Sequence, residues 1–153
     1  MDKIKNTIKE VFSGERNKLT HTGKLVIKRT KGKEWGMIEV DKKLWKKRRD
    51  KLILLPANWD IPPYDPHISV FSREEVRKIP ENFPFEGKEI TFTLRDNLRV
   101  LDPQSWNEVY ECAFEIVDCF EIQKIRMDLG FTPYMNNNHE FHLTLGIKYK
   151  KKQ

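Results

Sequence analysis

A chain of 153 residues, 38% hydrophobic and 34% charged, is the size of one domain and can bury a core without staples, which excludes wholesale disorder. No apolar run approaches the roughly 18 residues a bilayer span requires, and Met1-Asp2-Lys3-Ile4-Lys5 lacks the apolar block of a secretory signal, so a soluble, cytoplasmic protein with no membrane partner is expected. The net charge of +6 is uneven: 17 Lys+Arg against 7 Asp+Glu in residues 1–51, 8 against 16 in residues 52–147, and four lysines in the tail 148–153.

Taken in chain order, Ile4, Ile8, Val11 and Phe12 recur at helical spacing, which predicts a short amphipathic helix over residues 2–13. Residues 25–29 and 35–40 read as strands of a hairpin around Lys31-Gly32-Lys33. Asp41 caps a basic helix over residues 42–51, with Leu44 and Trp45 as its apolar contacts. The apolar run Leu52-Ile53-Leu54-Leu55 leads into a loop stiffened by Pro56, Pro62, Pro63 and Pro66, and proline holds its predecessor extended, so His67 starts a strand. Residues 89–95 alternate as a strand, and Asp96-Asn97 reads as a hairpin turn into Leu98–Leu101. Between 106 and 129 a helix capped by Asp102 with Pro103 competes with a strand over 108–117; the alternation of Tyr110, Cys112, Phe114 and Ile116 favours the strand. Asp118 with Glu121 has capping-box spacing for a following helix, and Gly130 stands where a glycine C-cap belongs. A strand over 141–149 closes the chain. One domain spans 1–153, with the basic segment 1–22 and the lysine tail 148–153 peripheral.

Cys112 and Cys119 form no CxxC and read as reduced packing residues. The four histidines are scattered without a metal-ligand spacing, so no metal and no cofactor is expected.

Two tetrapeptides share one form: His67-Ile68-Ser69-Val70 and His142-Leu143-Thr144-Leu145. Each is histidine, apolar, hydroxyl, apolar. A strand's side chains alternate, so in each case histidine and hydroxyl share one face while the apolar pair enters a core. Two such strands side by side put two imidazoles and two hydroxyls around one small space. Phosphodiester chemistry needs that set: one imidazole takes a proton from the attacking oxygen, the other gives one to the leaving oxygen, and the hydroxyls hold the phosphate oxygens. Chance supplies both tetrapeptides in well under ~1% of sequences of this composition. His21 and His139 lack the pattern and read as surface or loop residues. Which histidine is acid and which base stays open.

Pro66-His67-Ile68-Ser69-Val70 and Phe141-His142-Leu143-Thr144-Leu145-Gly146, 75 positions apart, resemble the two signature motifs of the two-histidine (2H) phosphoesterases. Glu86–Phe92 and Ile125–Gly130 resemble segments of the small, often phage-encoded "Swiss army knife RNA repair-like" branch, the likeness covering roughly residues 23–148. The resemblance implies an α+β, bilobed fold of two antiparallel sheets with outer helices and a central cleft, each lobe giving one motif. It implies metal-independent cleavage of 2′,3′-cyclic phosphates or of 2′-5′ or 3′-5′ linkages, with His67 and His142 catalytic and Ser69 and Thr144 phosphate-binding. That branch includes phage enzymes that cleave the cyclic di- and trinucleotide messengers of CBASS immunity. Two departures are the serine at position 69, where threonine is commoner, and Phe71-Ser72, which displaces Arg73 from a phosphate contact.

Trp59 and Tyr64 before the first motif and Tyr134 before the second are candidate stacking planes for a nucleobase, with core packing as the competing reading. Lys148, on the strand parity of His142, is a candidate charge near the phosphate. The expected partner is a cyclic di- or trinucleotide or an RNA-derived substrate, with no obligate protein partner. An RNA-processing 2H enzyme is the runner-up. A non-catalytic RNA-binding module built on the basic clusters around Trp35 and Trp45 is a further alternative, predicting steeply salt-dependent binding; those clusters read equally well as a solvated face.

Overall fold

A computed structural model describes residues 20–54, 58–101, 109–135 and 140–149. The expected helix over 2–13, His139 and most of the lysine tail lie outside the described residues. The order is β1 (Thr20–Lys28), β2 (Trp35–Glu39), α1 (Lys42–Arg49), a 3-10 turn (Asp50–Leu54), β3 (His67–Phe71), α2 (Arg73–Val76), β4 (Glu89–Leu101), β5 (Val109–Asp118), α3 (Phe120–Asp128) and β6 (Phe141–Tyr149). Among the described residues no helix is long and apolar enough to cross a membrane.

The fold is α+β and the strand pairs are antiparallel, as expected. The strands join into one closed sheet of order β1-β2-β3-β6-β5-β4, with β4 returning to β1. This sheet has two topologically equivalent halves. β1-β2-β3 is a meander whose third strand carries the first motif, and β4-β5-β6 is a meander whose third strand carries the second. The halves meet where Ile68 of β3 pairs with Leu143 of β6. Antiparallel register from that pair sets His67 across from Thr144 and Ser69 across from His142, a twofold relation between the motifs.

Alternation drives this placement. Ile68, Val70, Leu143 and Leu145 are fully buried in the core, whereas His67, Ser69, His142 and Thr144 on the opposite parity are half-buried. Truncating any one of the four apolar residues to Ala costs about 2–4 kcal/mol, so the core itself fixes which way the motif side chains face. β3 and β6 share a single register pair, and further along β6 the loop takes over, Asp60 and Ile147 exchanging both backbone hydrogen bonds at 2.9 and 3.1 Å.

Three local expectations are corrected. Asp96-Asn97 is not a hairpin turn: β4 runs straight through it, pairing with β5 on both sides, and the extra residues form a bulge between Leu94 and Leu98. Asp96 takes a positive φ of 55° there, which aspartate tolerates, and its carboxylate is held by Arg48 and Lys51. The cap of α3 is Cys119 rather than Asp118, because Asp118 still belongs to β5 and pairs with Arg95 while Glu121 accepts from the Thr91 N–H. The C-terminus of α3 does end at Gly130: φ is +89°, Gly130 N–H donates to Met127 and Phe131 N–H to Arg126, a Schellman closure. Finally, α1 begins as predicted, Asp41 accepting from Leu44 N–H at 3.1 Å, but becomes a 3-10 turn after Arg49.

The basic run on α1 is divided in purpose. Lys42, Lys43, Lys46 and Lys47 are exposed, but Arg48 is buried against Glu115 of β5 and Arg49 donates to the carbonyls of Leu145 and Trp59 at 3.1 and 2.9 Å. With Trp45 Nε1 donating to the Thr144 carbonyl at 2.9 Å, α1 is bolted to the strand of the second motif.

A second buried node supports the first motif. Arg126 of α3 is fully buried and all five of its N–H groups are engaged: Nε with Thr132 O (2.8 Å), Nη1 with Val70 O (2.7 Å) and Glu75 (2.8 Å), Nη2 with Glu75 (2.7 Å) and Tyr134 O (3.0 Å). The Phe71 and Phe131 rings pack on its guanidinium at 5.5 and 5.6 Å. Glu75 is the third helical residue of a capping box with Ser72, a Ser-x-x-Glu signal present in the sequence. Burial pushes the Glu75 carboxyl up, but hydrogen bonds from Arg126 and the Ser72 backbone outweigh it and hold the group below its ordinary 4.5. A depressed carboxyl stabilises the fold above its unfolded value and loses that contribution as pH falls through the folded one. Denaturant melts at about pH 6 and about pH 3 should therefore show a smaller acid loss for Glu75→Gln than for the parent chain; equal losses would mean that Glu75 carries none of the acid sensitivity.

Candidate active site

The four motif side chains line one cleft of about 430 Å³, together with Tyr64 and Asp65 from the proline-rich loop and Lys28, Trp35 and Met37 from β1 and β2. That size lies in the ordinary range for a small-molecule site. Charged groups on the wall are few. Lys28 is exposed and makes no ion pair among the described residues. Asp65 pairs loosely with Lys42 at 3.5 Å on the surface, a contact worth little.

Each imidazole is oriented by its surroundings. His67 Nδ1 lies 2.8 Å from the Asp65 carbonyl oxygen. A carbonyl only accepts, so Nδ1 carries the proton and Nε2 is left as the nitrogen for proton exchange. The Tyr64 ring meets His67 edge-on at 5.2 Å, and Phe114 of β5 flanks His142 at 5.0 Å. An aromatic therefore braces each histidine, one from the loop before β3 and one from β5.

The hydroxyls are supported in the same way. Trp35 Nε1 donates to Ser69 Oγ at 2.7 Å, and the Cys112 thiol donates weakly to Thr144 Oγ1 at 3.8 Å. Burial pushes the Cys112 thiol up, only partly offset by its bond to Thr144, which keeps it a donor. Burial likewise pushes the Tyr64 phenol up to about 12, with the Thr144 hydroxyl acting in the opposite sense. Both groups stay neutral near pH 7 and leave no added negative charge beside an incoming phosphate. Among the described residues no group of three or more His, Cys, Asp or Glu side chains is arranged to hold a metal ion.

The other sequence candidates lie elsewhere. Trp59 fills the space over Gly146, where an added Cβ would come within 2.8–2.9 Å of Leu52 and Trp59, and its Nε1 is buried without a hydrogen-bond partner among the described residues. Lys148 stacks on Trp59 at 4.5 Å and pairs with Glu111 at 3.4 Å, so its charge is directed away from the cleft wall. Tyr134 packs on Phe141 at 5.3 Å while its carbonyl receives Arg126. Arg73 donates to the Gly32 carbonyl at 3.0 Å, outside the cleft. His21 sits half-buried on β1 beside Phe92, and both cysteines are free and buried. Sequence reading missed Lys28, Met37, Phe114 and, above all, Trp35. Their only local signal is parity: Lys28, Trp35 and Met37 occupy alternate positions on the face of their hairpin opposite the buried Leu25, Ile27 and Ile38.

With the geometry in place, comparison with family models matches residues 40–152 to the Swiss Army Knife 2H phosphoesterase domain. The chain belongs to that family and is a hydrolase of phosphodiester bonds. Comparisons with curated proteins and with solved structures returned no match. The matched segment holds both motifs and the loop before the first, whereas β1 and β2, with Lys28, Trp35 and Met37, precede it.

Proposed function

We propose that this chain hydrolyses phosphodiester bonds of cyclic oligonucleotides, without a metal, using His67 and His142 as the acid–base pair and Ser69 and Thr144 as phosphate-holding donors. The observation that carries this reading is the shared cleft, with the two His-x-hydroxyl strands in twofold register across it. The neutral imidazole removes a proton from water as its oxygen bonds to phosphorus. The P–O bond to the leaving ribose oxygen breaks, and that oxygen takes a proton from the second, protonated imidazole. One water is consumed and both histidines end with their charges exchanged, to be reset by solvent. Because the imidazoles handle both proton transfers and the hydroxyls bind the non-bridging oxygens, no step calls for a Lewis acid.

Lys28 favours a substrate with more than one phosphate. An ammonium on the wall of the cleft with no ion pair among the described residues attracts a second anionic group, which a cyclic di- or trinucleotide has and a nucleoside cyclic monophosphate lacks. Lys28→Gln is expected to raise KM for a cyclic dinucleotide about fivefold and to leave a nucleoside 2′,3′-cyclic monophosphate within about twofold. An equal change for both would remove the argument for a second phosphate. On this reading the chain acts as a phage antagonist of CBASS-type signalling in a host cytosol.

A second reading, processing of RNA ends with 2′,3′-cyclic phosphates or of 2′-5′ linkages, is favoured by the exposed Lys42, Lys43, Lys46 and Lys47 on α1, whose first residue pairs with Asp65 at the cleft. One experiment separates the two: incubation in excess EDTA with cyclic di- and trinucleotides, 2′-5′ oligoadenylate and RNA carrying a 2′,3′-cyclic phosphate. Turnover of the cyclic oligonucleotides, undiminished by chelator and bell-shaped in pH, is the expected result. Turnover restricted to RNA ends favours the second reading, and turnover that EDTA abolishes rejects the acid–base pair as the whole machinery.

A further inference from the structure

We infer that Trp35 is a positioning residue for this phosphodiesterase reaction, its indole N–H fixing the Ser69 hydroxyl so that the hydroxyl proton is aimed at the bound phosphate; this rests on the phosphate-holding role given to Ser69 above. A hydroxyl has one proton and two acceptor sites, and an indole N–H only donates. With Trp35 Nε1 2.7 Å from Ser69 Oγ, the serine is the acceptor in that bond. Its own proton must point elsewhere, and the open direction is the cleft both residues line.

The need for such a clamp follows from the difference between the two motifs. Thr144 is β-branched, so its χ1 is restricted by its own methyl group; Ser69 has no methyl and turns more freely. The shorter side chain is the one given the stronger external bond: 2.7 Å from an indole, against 3.8 Å from a thiol at Thr144. A donor already oriented toward developing charge does not have to reorganise during the reaction, and that is where such groups gain their effect.

Neighbouring structure holds the indole in place. The β2–β3 register shifts between the pairs Gly36–Phe71 and Met37–Ser69, a bulge beside the site. A Cβ at Gly36 would lie 2.7 Å from Phe71, so glycine permits the close approach of the two strands that brings Trp35 over Ser69. Phe71 is in turn fully buried beneath Arg126.

The test uses the full chain with cyclic di-AMP and bis(p-nitrophenyl) phosphate as probes. Trp35→Phe keeps an aromatic ring and removes the donor; kcat is expected to fall about five- to tenfold on both probes, with KM within about twofold. Site-specific 3-benzothienylalanine at position 35, which keeps the ring size and removes only the N–H, should reproduce the loss even if the phenylalanine variant packs poorly. On a Ser69→Ala background the same change should have no further effect, and Ser69→Thr should restore most of the activity lost with Trp35→Phe. Unchanged kcat in the benzothienyl variant, or a full additional loss on the Ser69→Ala background, overturns the inference. Should the phosphate-holding role itself be wrong, Ser69→Ala alone leaves turnover intact, and the inference falls with it.

Discussion

His67→Ala and His142→Ala are each expected to lower kcat by about 10²- to 10⁴-fold on any substrate the chain turns over, with KM changed little. Both side chains are only half-buried and lie on the cleft side of their strands, so removing either ring leaves the buried partners Ile68, Val70, Leu143 and Leu145 undisturbed. Melting temperatures should accordingly stay close to that of the parent chain. Steady-state kinetics with a parallel thermal melt checks both halves of this expectation. The losses should also be strongly non-additive, since one missing proton transfer already stalls the reaction; the double variant is expected to be about as slow as the slower single one. A single variant retaining near-parental kcat would take that histidine out of the acid–base pair.

The largest effect on stability is expected at Arg126. Arg126→Met removes five hydrogen bonds at once, leaves the Val70 and Thr132 carbonyls short of the donor it supplied and strands the Glu75 carboxylate, while the Tyr134 carbonyl keeps only the Thr132 hydroxyl. Breaking a buried ion pair by deleting one partner costs about 3–5 kcal/mol, because the remaining charge is left uncompensated. Equilibrium urea unfolding measures it. Combining Arg126→Met with Glu75→Gln should recover part of the loss, since the stranded charge is then gone. A loss below about 1 kcal/mol for Arg126→Met would show that the node is not what anchors α3 to β3.

Much of the architecture was legible in the sequence because its cause is local. Strands at 35–39, 109–118 and 141–149 follow from alternation, the start of α1 from the Asp41 cap, and the end of α3 from Gly130. The motif pair was legible for the same reason: His, hydroxyl and two apolar residues at period two already specify a face, and the fold had only to set the two strands side by side. Chemical type misled where a residue serves two possible structures. Asp96-Asn97 has turn chemistry, yet the same tolerance of positive φ serves a bulge when the flanking residues keep pairing with one strand. Asp118 has cap chemistry, yet Arg95 claims it for the sheet.

What the sequence did not disclose are contacts between residues far apart in the chain. Trp35 and Ser69 are 34 positions apart, and Arg126 and Val70 are 56 apart. Neither pairing leaves a periodic trace. Arg126 reads along the chain as one more polar position on a short helix, and Trp35 as an aromatic among lysines, until the closed sheet brings their partners to them. Lys148 illustrates the converse: it does follow the parity of His142, but Trp59 and Glu111 take its ammonium first.

The central claim is that one phosphate sits between two imidazoles related by the twofold register of β3 and β6. A crystal structure with a phosphorothioate cyclic dinucleotide, which resists hydrolysis, tests it most directly. The expected density places one phosphorus with non-bridging atoms in hydrogen-bond contact with both Ser69 and Thr144, and with His67 and His142 on opposite sides of it. A phosphate held by one motif alone, or bound away from the cleft, would contradict the account.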